Sequence, residues 1–278
     1  STTAPMMNEQ AEGPLIFQEG SAPVAFRKIH VWRSDSAAVV ADADPPPPEP
    51  IHVDPTDGPR ILRSYVDHRG DKKLYGVFVG DPAGVHYALD LKQGALLHTW
   101  RGGFLDAGTV WRGRGMEPNS RMLDEPEPRG STITFPGAPD IALLSDENAA
   151  WPDTMGTGYR FKGYSIDTTG RPIFKYRLHD IEVTDQFRPV RDGKALHRRL
   201  TVTGSAGGRS VWSRIAAAPT IAQAANGSYT IGDRTYIVEI TDRPAGGPII
   251  REQNGRSELL VPLPADGGST TLEYSIIW

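Results

Sequence analysis

The sequence of 278 residues contains no cysteine. Disulfides, thiolate nucleophiles, iron–sulfur clusters held by cysteine and covalently attached c-type haem are therefore excluded for this chain. The sequence also has no run that approaches the roughly 18 apolar residues of a membrane-spanning helix. We expect no cofactor in this chain, so any redox centre associated with it must sit on a partner.

Charge of one sign is not in excess, because 30 basic and 34 acidic residues give a net charge of −4. A balance of this kind gives no electrostatic basis for binding nucleic acid. No basic amphipathic segment suited to a membrane surface is found either. Most of the basic residues are arginines, which reflects either a GC-rich genome or the use of guanidinium groups at interfaces.

Residues 1–50 have neither helical nor strand periodicity, and four consecutive prolines at 45–48 predict a polyproline II rod. The sequence therefore predicts an extended arm at 1–50, followed by a single β-sandwich domain at 51–278. We expect the arm to order only against a surface: its own sandwich near 25–50, and a partner near 1–20. A sequence that starts at Ser1 is consistent with a cleaved leader, with an expression scar or with removal of an initiator Met. Candidate partner-binding anchors in the arm are Leu15, Ile16, Phe17 and Trp32.

Beyond residue 58 the sequence changes to short β-rich segments separated by turn signals. The 30 glycines and 24 prolines favour turns over long helices, and only 213–226 resembles a helix. The predicted fold is all-β, a large antiparallel β-sandwich, with the mutarotase-like supersandwich as one form of it. The predicted strand segments are 60–66, 73–80, 84–91, 95–100, 131–135, 159–167, 172–187, 196–204, 209–217, 228–240, 248–263 and 270–278.

No catalytic signature is found: there is no nucleophile elbow, zinc-protease helix, phosphate-binding loop or dinucleotide fingerprint. We therefore predict a chain that is not an enzyme. The best metal candidates are His86 and His98, which flank one hairpin, although strand histidines are usually ordinary hydrogen-bonding groups. Acidic loops such as 145–153 and 167–170 indicate either calcium sites or Asx turns.

The segment HTWRGGFLDAGTVWRGRG at 98–115 repeats Trp-Arg-Gly around Phe-Leu-Asp. It predicts a braced corner of a β fold, in which the glycines let the chain bend and Phe104-Leu105 fill the core. The alternative is a surface for a ligand or partner, with its indoles facing solvent beside polar groups. The candidate residues of that surface are Trp100, Arg101, Trp111, Arg112 and Arg114.

Residues 63–115 and 160–189 together resemble an uncharacterised bacterial exported β-rich module. The shared features are Trp-Arg-Gly-Gly-Phe-Leu-Asp, Trp-Arg-Gly-Arg-Gly and the hairpin from Phe161-Lys162-Gly163-Tyr164 onward. That module occurs beside c-type cytochrome domains and sugar-dehydrogenase-like propellers. The resemblance implies a periplasmic or otherwise exported protein in an electron-transfer setting, and it assigns no catalytic residue.

Two functions follow from these features. The first is a non-catalytic exported accessory or scaffold subunit. It would bind and stabilise a larger, membrane-attached respiratory or photosynthetic electron-transfer assembly containing a c-type cytochrome, without itself spanning the membrane. The second is a carbohydrate-binding module or glycan-active enzyme on a β-sandwich. Buried indoles and a flat apolar patch favour the first. Solvent-facing Trp100, Trp111 or Trp151 around a carboxylate-lined groove favour the second.

Overall fold

Antiparallel sheet forms nearly all of the regular structure in the computed structural model, which describes residues 49–112 and 126–278. The first sheet has six strands, in which β5 pairs with β1, β4 and β6, and the order continues from β4 through β3 to β2. Its strands are β1 (His52–Val53), β2 (Arg60–His68), β3 (Asp71–Gly80), β4 (Val85–Asp90), β5 (Ala95–Asp106) and β6 (Glu127–Thr134).

The second sheet has eight strands and the third has four. The second runs in the order β13-β14-β15-β18-β11-β10-β9-β8, and the third in the order β16-β17-β12-β7. The strands of the second sheet are β8 (Tyr159–Ile166), β9 (Pro172–Leu178), β10 (Ile181–Val190), β11 (Ala195–Ser205), β13 (Ile221–Gln223), β14 (Tyr229–Ile231), β15 (Tyr236–Asp242) and β18 (Asp266–Ile277). Those of the third are β7 (Ile141–Leu144), β12 (Ser210–Ala218), β16 (Ile249–Gln253) and β17 (Arg256–Leu263), and a short helix, α1 (Gly108–Arg112), follows β5.

Alternation of side chains explains why these segments form strands with one face buried. In β9, Phe174, Tyr176 and Leu178 are buried, whereas Lys175 and Arg177 between them are exposed. Successive side chains of a strand point to opposite faces, so this pattern places one face on the core and the other in solvent.

The main hydrophobic core lies between the inner faces of the sheets and includes residues from all three, such as Val77, Phe187 and Leu259. A second cluster is built from residues of the first sheet and contains Phe78, Trp100 and Phe104. In β3, Val77 and Val79 on either side of Phe78 belong to the main core instead. A third, smaller cluster joins residues of the third sheet to the loop that holds Trp151. Sheets packed through shared apolar faces make the fold an all-β sandwich.

A buried ionic cluster ties the second sheet to the chain before β7. The fully buried Arg198 guanidinium donates two bonds to Asp185, at 2.9 and 2.7 Å, and one to Asp140 at 2.7 Å. Asp140 Oδ2 also accepts the backbone N–H of Leu96 in β5, at 2.8 Å. Because a bidentate guanidinium pair has a fixed geometry, this cluster sets how the sheets meet.

The predicted all-β class is confirmed, and several local predictions need correction. The segment 172–187 is two strands, because His179 and Asp180 turn the chain between β9 and β10. The strand expected to end at 100 continues to Asp106 through its glycines. The helix-like segment 213–226 is strand and turn. The arm predicted at 1–50 lies, except for residues 49 and 50, outside the described residues.

Candidate functional site

The Trp-Arg-Gly segment is a structural corner at Trp100, whose side chain is fully buried. Its indole Nε1 donates to the carbonyl oxygens of Gly103 at 3.1 Å and Phe104 at 3.0 Å. The indole is parallel to the Phe104 ring, with the centroids 6.0 Å apart. Burial and these two hydrogen bonds favour the braced corner over a ligand surface at Trp100.

Gly103 lets an arginine close this corner. A Cβ atom added at Gly103 would lie 2.8 Å from Cζ of Arg129. The Arg129 guanidinium reaches Asp54 at 2.8 Å, and Asp54 Oδ1 accepts the backbone N–H of Phe104 at 3.0 Å. That backbone hydrogen bond lowers the pKa of Asp54, so the carboxylate stays charged. The glycine is needed for close packing in the corner.

His86 and His98, the metal candidates, are both committed to hydrogen bonds within the protein. His86 Nδ1 accepts the backbone N–H of Asp81, and its Nε2 donates to Gly102. His98 Nε2 donates to the carbonyl of Asp67, and its Nδ1 bonds to Thr134. Burial lowers the pKa of both histidines, which keeps the rings neutral. These bonds leave neither ring a free nitrogen lone pair for a metal.

The remaining predicted site residues have different outcomes. Arg101 is half-buried, with its guanidinium 5.1 Å from the ring centroid of Trp278. It is therefore held by an aromatic ring of its own chain. The other candidates lie outside the described residues, either entirely or as side chains. They are Leu15, Ile16, Phe17, Trp32, Trp111, Arg112 and Arg114.

The acidic loops use their carboxylates to form turns. Asp167 Oδ1 accepts the backbone N–H groups of Thr169 at 2.7 Å and Arg171 at 3.0 Å, which is an Asx turn. In the same way, Asp146 accepts the N–H of Asn148. Within residues 49–112 and 126–278, no group of three or more His, Asp or Glu side chains is arranged to hold a metal ion.

A group of large side chains that the sequence analysis did not select is exposed on the β2–β3 hairpin. Leu74 and Tyr75 are adjacent in β3 and 61% and 60% exposed, and Tyr65 opposite them in β2 is 40% exposed. Ser64 pairs with Gly76 and Val66 pairs with Lys73, so one residue of β2 faces two of β3. This is a β-bulge, which turns side chains away from the regular alternation.

Gly76 allows the two strands to approach at this bulge. A Cβ atom at this position would lie 2.3 Å from Cγ2 of Val66 and 2.6 Å from the carbonyl oxygen of Ser64. The hairpin frames a groove of about 410 Å³ that also reaches Leu91 and Val110. We call this feature the tyrosine groove, lined by Arg63, Ser64, Tyr65, Leu74, Tyr75, Gly76, Leu91 and Val110.

A second bulge extends the exposed surface from the edge strand of the other large sheet. In β8, Lys162 is the extra residue between the pairs Phe161–Tyr176 and Gly163–Lys175. Beyond it, Tyr164 and Ile166 are exposed. The Arg63 guanidinium of the tyrosine groove lies 5.8 Å from the Tyr164 ring centroid, so the two edge strands present neighbouring aromatic groups.

Cations stand over two of these exposed tyrosines. The Lys72 ammonium lies 4.4 Å from the Tyr65 ring centroid, and Arg63 stands over Tyr164. The tyrosine groove therefore combines exposed apolar area with positive charge at its rim. Aromatic side chains and arginine are the residue types enriched at the centres of protein interfaces.

The sequence did carry one signal for the tyrosine groove. In KKLYGVFVG, Leu74 and Tyr75 are adjacent large apolar residues directly before a glycine, which breaks the alternation expected of a half-buried strand. Gly within a strand often marks a bulge or a close backbone approach. The sequence analysis named tryptophans as candidate surface residues instead, yet Trp100, Trp151 and Trp212 are all buried.

No protein-family model matches this chain, and no curated protein matches its sequence significantly. In the described part of the chain, no helix has the length and apolar character needed to cross a membrane.

Proposed function

We propose that this chain is a non-catalytic binding subunit that docks on a protein partner through the tyrosine groove. The observation that carries this proposal is the β-bulge of β3, which leaves Tyr65, Leu74 and Tyr75 exposed side by side. Exposing three large apolar side chains together is unfavourable in water, and contiguous patches of this kind typically mark interaction sites. Burial of the indoles of Trp100 and Trp151 also favours a docking subunit over a sugar platform built on tryptophan.

The chemistry of the groove suits a partner surface with apolar groups and acidic neighbours. Tyr65 and Tyr75 supply large rigid contact area, while Arg63 and Lys72 supply positive charge. Carboxylates on the partner would pair with these cations at the rim of the interface, where charge guides association more than it adds affinity. The apolar centre would supply most of the binding free energy.

The partner that we propose is an exported electron-transfer assembly containing a c-type cytochrome. Support for this finer identity comes from the sequence resemblance, whose stretches 63–115 and 160–189 include the groove strands and Tyr164. With no cysteine in this chain, a c-type haem of the complex would be attached to the partner. The proposed location is therefore periplasmic or otherwise exported.

The test is purification of the tagged chain from its native host, with a Leu74→Ser/Tyr75→Ser variant beside the wild type. We expect the wild type to retain a stoichiometric subunit that shows haem absorbance, and the double variant to lose it. Ile250→Ser is the matched control, because Ile250 is also exposed but lies on β16, outside the groove. Wild-type chain that elutes alone, or a double variant that keeps its partner as well as the control does, would contradict the proposal.

A second candidate function, carbohydrate binding, is favoured by one observation: exposed tyrosines border a concave groove beside a guanidinium group. Aromatic faces next to polar donors can hold a sugar ring. Affinity electrophoresis on polysaccharide gels distinguishes the two functions. Retardation of the wild type that disappears in Tyr75→Ala would support sugar binding. Unchanged migration of the wild type on every polysaccharide would contradict sugar binding and favour protein docking at the groove.

A further inference from the structure

A small polar pocket of about 140 Å³ lies over β10 and β11, away from the tyrosine groove. The strand register places Gln186 opposite Arg199 and Arg188 opposite His197. Alternation along each strand puts these four side chains on one face, opposite the face of Phe187 and the buried Arg198. Two arginines therefore project together from adjacent strands, next to a neutral imidazole whose pKa burial lowers.

The β8–β9 turn adds a third arginine to this pocket. The Nε of Arg171 donates to Asp81 Oδ2 at 2.7 Å, and its Nη1 donates to Thr169 Oγ1 at 3.0 Å. Asp81 is almost fully buried, so this ion pair holds the guanidinium in place. Asp167 also lines the pocket, and its Oδ1 accepts the backbone hydrogen bonds of the Asx turn that shapes this loop.

The guanidinium groups of the pocket retain donors that the protein does not use. Arg188 is exposed and has no ion pair among the described residues. Arg199 is half-exposed and pairs with Glu273 through its Nε at 3.2 Å, which leaves its terminal nitrogens to the pocket. His197 is already engaged, since its Nε2 donates to Glu273 and its Nδ1 bonds to Ser275. The donors left around the pocket are therefore guanidinium N–H groups, together with the Gln186 amide.

We propose that this pocket binds one small oxyanion, a phosphate, sulfate or carboxylate group, through Arg171, Arg188 and Arg199. Planar guanidinium forks match the paired oxygens of such groups. The volume of about 140 Å³ suits a single oxyanion, carried free or at the end of a larger ligand. The Asp167 carboxylate at the wall limits the negative charge that the pocket accepts. This site is independent of the docking function proposed for the tyrosine groove.

The test is calorimetric titration of the purified chain with sodium phosphate, sulfate and acetate in separate experiments, at constant ionic strength set with chloride. We expect saturable binding of at least one of the three anions, and weakening by about tenfold or more in Arg188→Gln, because a charge-assisted hydrogen bond is lost. Arg209→Gln is the matched control, since Arg209 is an exposed arginine in the turn after β11, away from the pocket lining.

Thermal melts of both variants in chloride buffer check that each is folded. Binding that is absent for all three anions would overturn the site, as would affinity that Arg188→Gln and Arg209→Gln reduce equally. Affinity for acetate alone would identify a carboxylate ligand, whereas preference for phosphate or sulfate would identify a tetrahedral one.

Discussion

Trp100 contributes to stability through both its apolar surface and its indole N–H. We expect Trp100→Ala to lower the free energy of unfolding by about 3–5 kcal/mol, because truncating a buried large aromatic residue leaves a cavity. Chemical denaturation followed by circular dichroism measures this change. Trp100→Phe should lose less, because it keeps much of the packing while giving up the bonds to Gly103 and Phe104. An Ala variant as stable as the wild type would show that the corner is not structural.

His98 makes the stability of the fold depend on pH. Burial lowers its pKa in the folded state below the ordinary value of 6.5. Below about pH 6.5 the unfolded chain binds the proton more readily, so stability is full above this pH and falls as the pH decreases. We expect His98→Gln, which keeps a donor for Asp67, to have a shallower decline.

The measurement is the free energy of unfolding of both proteins between pH 7.5 and about pH 5.5. The difference between the two proteins isolates His98 from other groups. These groups include His68, His86 and His197, whose pKa values burial also lowers. Parallel curves for the wild type and His98→Gln would show that His98 does not contribute.

The bulge of β3 is the element that creates the tyrosine groove, and it depends on Gly76. We expect Gly76→Ala to destabilise the protein by about 1–3 kcal/mol, because the added methyl group would overlap Val66 and the Ser64 carbonyl. Thermal melting measures the loss, and faster amide hydrogen exchange confined to β2 and β3 would locate it. Gly268→Ala is the control, since nothing lies within 4 Å of a Cβ atom there. Equal melting of the two variants would contradict this role for Gly76.

A strand can be predicted from the sequence when the pattern that defines it lies within its own residues. The alternating burial of β9 could be predicted, because Phe174, Tyr176 and Leu178 carry the period of a half-buried strand. The bulges could not be located, because a bulge is a property of pairing: its position depends on which residue of β2 faces Leu74 and Tyr75. Which side chains of the groove are exposed therefore depends on how β2 pairs with β3, and the sequence alone does not show this pairing.

The molecule as a whole joins its sheets by burying charge as well as apolar surface. The Arg198 guanidinium on β11 donates to the Asp185 carboxylate on β10, and Tyr176 from β9 donates to Asp185 at 2.9 Å. In LHRRLTVTG, alternation places Arg198 on the apolar face of Leu196 and Leu200, but nothing local shows which carboxylates pair with its guanidinium. Those carboxylates, Asp185 and Asp140, are distant in the chain, which is why the cluster was not predicted.

Binding at the tyrosine groove is the central claim about function, and site-specific photo-cross-linking in the native host tests it most directly. A photoreactive amino acid placed at position 75 should cross-link to one defined protein partner, because Tyr75 would lie inside the interface. The same amino acid at position 250, an exposed apolar site on β16, should not. Our account predicts a single cross-linked species for position 75, with the partner carrying c-type haem. Absence of a cross-link at position 75, or the same products from both positions, would contradict it.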